Sequence, residues 1–230
     1  MEKNEKKQRQ WKEKITELRN IKDIDNHPIE EGILETVAAL NLLGFNTFQS
    51  CDGETNGLSP FVQCKADNEP SDVYVGEREL KERLIRERSI SPGSIDRNSP
   101  DYDHGIFVDL EGDARDELFN KKAEETEDFK LWNERTEILG EKLKKIVGDF
   151  YASNPLSGGD SGVTVQVEFP YRTDEHKKYP AIRNIFEVEV PYAGIRTEGG
   201  YPSKEDAAAF LLRAQLEMKR FTEFLKEKFY

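Results

Sequence analysis

The stretch from Pro28 to Ala66, PIEEGILETVAALNLLGFNTFQSCDGETNGLSPFVQCKA, decides how this chain folds. Ile29, Ile33, Val37 and Leu40 recur at helical spacing and make one apolar face. His27-Pro28 stands ahead of them, where a proline's missing N–H costs nothing, and predicts a helix over 28–43. Gly44 accepts a left-handed backbone cheaply and supplies the stop. Phe45 to Ser50 then reads as a strand and Phe61 to Cys64 as a second one. Between them Asp52-Gly53 and Asn56-Gly57 are strong turn formers. The connection is longer than two residues, so the hairpin is wide. The helix joins its strand through Gly44 alone and must lie back along the sheet. The 50–54 turn is therefore expected beside the helix N-terminus, near His27-Pro28, where partial positive charge and unsatisfied N–H donors collect.

Working outward, Trp11, Ile15 and Leu18 place a first helix over 3–21, with the charged residues 1–14 expected to fray. A short charged helix is predicted over 76–89 from Leu80, Leu84 and Ile85. Residues 89–104, rich in Ser, Pro, Asp and Gly, read as a mobile loop. Ile106 to Leu110 reads as a short strand. One long helix is predicted over 113–151, with the charged run Asn120 to Asp128 as the place where it could break. Val163, Val165, Val167 and Phe169 alternate with polar residues, as do Phe186, Val188 and Val190. These two strands are expected to pair antiparallel across a mobile connection at 170–183. Ser203 is placed to cap a last helix whose core face is Phe210, Ala214, Phe221 and Leu225. The pattern predicts one α+β domain over 1–230, centred on the 28–66 helix–hairpin unit. Its antiparallel or mixed sheet of about 4–6 short strands is covered by helices, with long charged peripheral helices. No Gly-x-Gly-x-x-Gly follows a strand, so a dinucleotide fold is not indicated.

Only 36% of the chain is hydrophobic and 35% is charged, with a net charge of −12. That charge repels phosphate backbones and argues against nucleic acid as a partner. The basic residues between Lys3 and Lys14 are interleaved with Glu2, Glu5 and Glu13 and read as a solvated helix face. Two cysteines are too few for a disulfide framework. No apolar run reaches the roughly 20 residues that span a bilayer, so no membrane role is expected. The first residues are polar and unlike a signal peptide. The reading is cytoplasmic, with both thiols reduced.

The segment GILETVAALNLLGFNTFQSCDGE, followed by SPFVQC, resembles a group of uncharacterised bacterial and archaeal proteins whose shared core reads ETVxALNxLGxxTxQSCEGH…PWV. The last residues, MKRFTEFLKEKFY, are similar to that group's C-terminal end. The resemblance covers about 35 residues closely. It implies the helix–hairpin unit and no chemistry. Asp52 stands where the group shows Glu, and Glu54 where it shows His, so a role resting on that histidine is not carried over.

The turn Gln49-Ser50-Cys51-Asp52-Gly53-Glu54 gathers a hydroxyl, a thiol and two carboxylates around one glycine. With His104 as a further candidate, it is the first choice for a site that binds a small molecule or a divalent ion. Acidic neighbours would raise the pKa of the Cys51 thiol, which argues against a nucleophile. Cys64 alternates in phase with Val62 and reads as core. Asp109 and Glu111, followed by Asp113, would share one face of an extended segment and offer oxygen ligands to a hard cation. The leading functional expectation is small-ligand or ion binding at the 50–54 turn. An acidic module docking a basic protein partner is the alternative, and an enzyme using Cys51 or a carboxylate pair the third. No cofactor is implied.

Overall fold

A computed structural model of the chain describes residues 2–22, 27–53, 59–155, 163–168, 186–189 and 204–230. In chain order the elements are α1 (Glu2–Arg19), α2 (Glu31–Leu42), β1 (Asn46–Cys51), β2 (Phe61–Lys65), α3 (Glu77–Glu87), α4 (Pro92–Ile95) and α5 (His104–Asn120). They continue with α6 (Glu127–Ser153), β3 (Gln166–Glu168), β4 (Phe186–Glu189) and α7 (Lys204–Phe229). The chain is helix-rich with a small antiparallel sheet, which is α+β in its coarse form. The chain is described as two compact units, and a boundary between them falls inside α6 after Arg135. No helix among the described residues is long and apolar enough to cross a membrane.

The first unit takes in Met1–Ala66, Thr136–Pro170 and Ile185–Tyr230. Its strands lie in the order β1-β2-β4-β3, each pair antiparallel. The β3–β4 pairing is the one expected from the two alternating segments. In the β1–β2 pair Cys51 faces Phe61 and Thr47 faces Cys64, with a bulge between Thr47 and Gln49. A bulge inserts one extra residue into a strand and re-aims the side chains beyond it. Val62 and Cys64 are wholly buried, as the alternation predicts.

Helix α2 buries more than one face. Ile33, Leu34 and every residue from Thr36 to Leu40 are buried, because α1, α7 and β1 all pack on it. A helix enclosed on several sides must be apolar nearly all round. Its one buried hydroxyl there, on Thr36, meets Thr222 of α7 at 2.7 Å, so neither is stranded. Phe210, Ala214, Phe221 and Leu225 of α7 join this core as expected, with Leu143 and Phe150 of α6.

Gly44 has φ +86, the left-handed turn predicted for it, and open space where a Cβ would go. Gly44→Val should therefore cost only the backbone term, about 1–2 kcal/mol. Urea unfolding checks it, and an unchanged midpoint would count against the αL assignment.

Several boundaries differ from expectation for identifiable reasons. Helix α2 starts at Glu31 and not at Pro28, because Glu30 is extended (ψ 136) and Pro28 bridges to Lys22. Residues 2–14 are helical instead of frayed: Lys7 donates to the carbonyls of Phe229 and Tyr230, and Trp11 packs on the Tyr230 ring at 6.3 Å. The 170–183 connection and Ser203 lie outside the described residues.

Among the described residues the second unit takes in Asp67–Arg135. The 89–104 segment holds the short α4, with the Ser94 carbonyl accepting from Asp103 N–H at 2.8 Å, so it is not loop throughout. Residues 106–110 are not a strand but part of α5. Asp103 caps that helix, accepting from Ile106 N–H at 3.2 Å. Leu110 and Ala114 are buried and Leu118 packs beside them, a spacing of four that runs straight through the expected strand end. The single long helix predicted over 113–151 is two, α5 and α6, and the chain breaks inside the charged run, where Lys122 takes φ +55.

Candidate functional site

Strand β1 ends at Cys51, and Asp52 after it meets the first turn of α2. Glu30 is the residue before that helix. Its side chain reaches to the strand end, where Oε2 accepts the Asp52 N–H at 2.8 Å and Oε1 lies 3.9 Å from Cys51 Sγ. Gly53 N–H donates to the same sulfur at 3.3 Å. Gln215 of α7 donates to the Asp52 carbonyl at 3.0 Å. These bonds tie strand end, helix start and α7 together through groups of the first unit alone.

Gly32 makes the closest approach possible. A Cβ built there would stand 2.5 Å from Asp52 Oδ2, so any larger residue displaces the carboxylate from the helix turn. The carboxylate lies against the first turn of α2.

One ligating atom each from Glu30, Cys51 and Asp52 lies within 4.8 Å of the other two. Cys51 is buried, Asp52 half-buried and Glu30 exposed. The sulfur thus forms the floor and the carboxylates the open side. Two oxygen donors and one thiol suit a borderline cation such as Zn²⁺ better than a hard one such as Mg²⁺.

The turn therefore returns to the helix N-terminus, as the topology of the hairpin requires. Of the other residues read from the sequence, Gln49 is exposed on β1 and Ser50 half-buried, and Glu54 lies outside the described residues. His104 belongs to the second unit, at the exposed start of α5, with Nδ1 3.2 Å from the Tyr102 hydroxyl. Asp109 and Glu111 lie on α5 and not on an extended segment. On a helix, residues two apart point in different directions. Asp109 is exposed, while Glu111 lies 3.5 Å from Lys81 and 3.7 Å from Arg115. Cys64 is sealed in the core, and burial pushes its thiol far above the usual range, so it neither ligates nor reacts.

Two contributors are not legible as site residues in the sequence. Glu30 reads there only as an acidic residue before a helix, a common placement. Gln215 lies 163 positions from Asp52, and no local pattern announces it. The chain matches no protein-family model, no curated protein and no solved structure.

Proposed function

We propose that the chain binds a divalent metal ion through Glu30, Cys51 and Asp52. The observation that carries the reading is the convergence of a thiol and two carboxylates, from the start of α2 and the end of the next element β1, with ligating atoms within 4.8 Å of one another. Two carboxylates held side by side repel unless something offsets their charge. The helix N-terminus offsets part of it, and a cation completes the balance. With three protein donors and one side open to solvent, the geometry leaves room for water or a small ligand on the metal. Two cysteines are too few for a disulfide framework, and we read the compartment as reducing, such as the cytoplasm.

Isothermal titration with Zn²⁺ and with Mg²⁺ tests it. One Zn²⁺ per chain should bind, with Mg²⁺ much weaker. At a free Zn²⁺ concentration about a hundredfold above Kd the fold should gain about 2.7 kcal/mol. Cys51→Ala and Glu30→Gln should each weaken binding at least about tenfold. Glu30→Gln keeps an acceptor for the Asp52 N–H, so it separates ligation from the strand-to-helix tie. Zn²⁺ uptake that is absent, or untouched by both substitutions, removes the proposal.

A further inference from the structure

The first half of α7 carries an apolar stripe on the side away from its core. Glu205, Ala208, Leu212, Leu216 and Lys219 follow one another at steps of three, four, four and three, so they share one helical face. All five are exposed, and Leu212 and Leu216 are 59% and 54% accessible. Two leucines this open, one turn apart on a helix whose opposite face is already in the core, are not explained by the packing of α7 in its own unit.

The order of residues along the stripe names what fits it. The face is acidic at its N-terminal end, apolar in the middle and basic at its C-terminal end. Laid antiparallel on an identical face about a two-fold axis through Leu212, it meets its own complement. Leu212 faces the second copy's Leu212, Ala208 faces Leu216, and Glu205 faces Lys219. A small residue opposite a large one lets the helices approach, and opposite charges meet at both ends. A parallel arrangement would instead set Glu205 on Glu205 and Lys219 on Lys219. Isologous pairing of this kind is the commonest form of homodimer.

We propose that α7 is a self-association face, pairing antiparallel with α7 of a second copy of this chain through Ala208, Leu212 and Leu216, with Glu205 and Lys219 closing the ends. The inference is independent of metal binding.

Sedimentation equilibrium over a wide concentration range, on the full chain at low and high salt, tests it. The parent should form a dimer that weakens as salt rises. Leu212→Asp, which sets two like charges on the axis, should raise the dimer Kd at least about tenfold. Its circular dichroism should match the parent, since the position is exposed. Glu205→Lys should also weaken the dimer, and adding Lys219→Glu to it should restore it, because the swapped charges again meet as opposites. A parent that is monomeric at every concentration overturns the proposal. A dimer unmoved by Leu212→Asp, or a double variant no better than Glu205→Lys alone, does so as well.

Discussion

Glu77→Ala should lower the unfolding free energy of the second unit by about 3–5 kcal/mol, the range for breaking a buried ion pair from one side. Glu77 is the first residue of α3 and is fully buried. One carboxylate oxygen accepts from Val73 N–H at 2.6 Å and Tyr74 N–H at 3.1 Å. The other accepts from Arg115 Nε at 3.0 Å and lies 2.8 Å from Lys81 Nζ. Alanine removes the acceptor shared by two backbone N–H groups and leaves Arg115, whose side chain is 5% exposed, with Glu111 at 3.7 Å as the remaining carboxylate partner among the described residues. An unpaired buried charge costs more than the pair contributes, so the loss exceeds that of a surface bridge.

The same residue sets an acid limb. Burial opposes ionisation of Glu77, but its bond with Lys81, the charges of Arg115 and Lys81 and the Tyr74 N–H together hold its pKa below the usual carboxylate value. A depressed native pKa gives stability that is complete above the ordinary carboxylate pKa and is lost as pH falls through the native one. Glu77→Gln should flatten that limb. Urea midpoints measured from neutral pH downward check both statements. An alanine variant within about 1 kcal/mol of the parent would show that Arg115 is satisfied elsewhere.

Val37→Asp is the second large effect, and it acts on the first unit. Val37 is 2% exposed in the centre of α2, among Ile33, Leu34 and Leu40 in one core cluster. A carboxylate there loses water and gains no counter-ion. It must either stay charged at a cost of several kcal/mol or take up a proton, and both destabilise the fold. We expect a loss of about 3–5 kcal/mol, enough to unfold a marginally stable first unit. Two positions away, Glu35 is exposed and its bond to Lys226 at 3.3 Å is a surface contact. Glu35→Ala should cost less than about 1 kcal/mol. Equal effects from the two substitutions would mean that α2 is not buried on the face assigned to it.

The periodic parts of the chain are legible without a structure. The α2 face, the Gly44 stop, the β1–β2 hairpin, the β3–β4 pair and the core face of α7 each repeat a local period long enough to identify it. Glycine at 44 follows from the same reasoning, since the backbone there has to reverse within one residue. The 106–110 segment misleads because a short apolar run without alternation cannot be told from part of a helix by its period. The Asp103 cap and the buried Leu110 and Ala114 belong to a helix whose evidence lies on both sides of that window.

The candidate site divides in the same way. Cys51 and Asp52 stand out because a thiol and a carboxylate flank a turn glycine, and the hairpin topology sends that turn back to the helix start. Their partner Glu30, the close approach over Gly32 and the bond from Gln215 depend on how α2, β1 and α7 meet in three dimensions. Sequence by itself determined the elements whose residues interact with neighbours three, four or two positions away, because those interactions are written into local spacing. Only the tertiary structure decided which donors converge on Cys51, which charges surround Glu77 and that Leu212 and Leu216 face solvent. Burial and pairing of that kind are set by residues tens to hundreds of positions apart, and their spacing along the chain carries no trace of it.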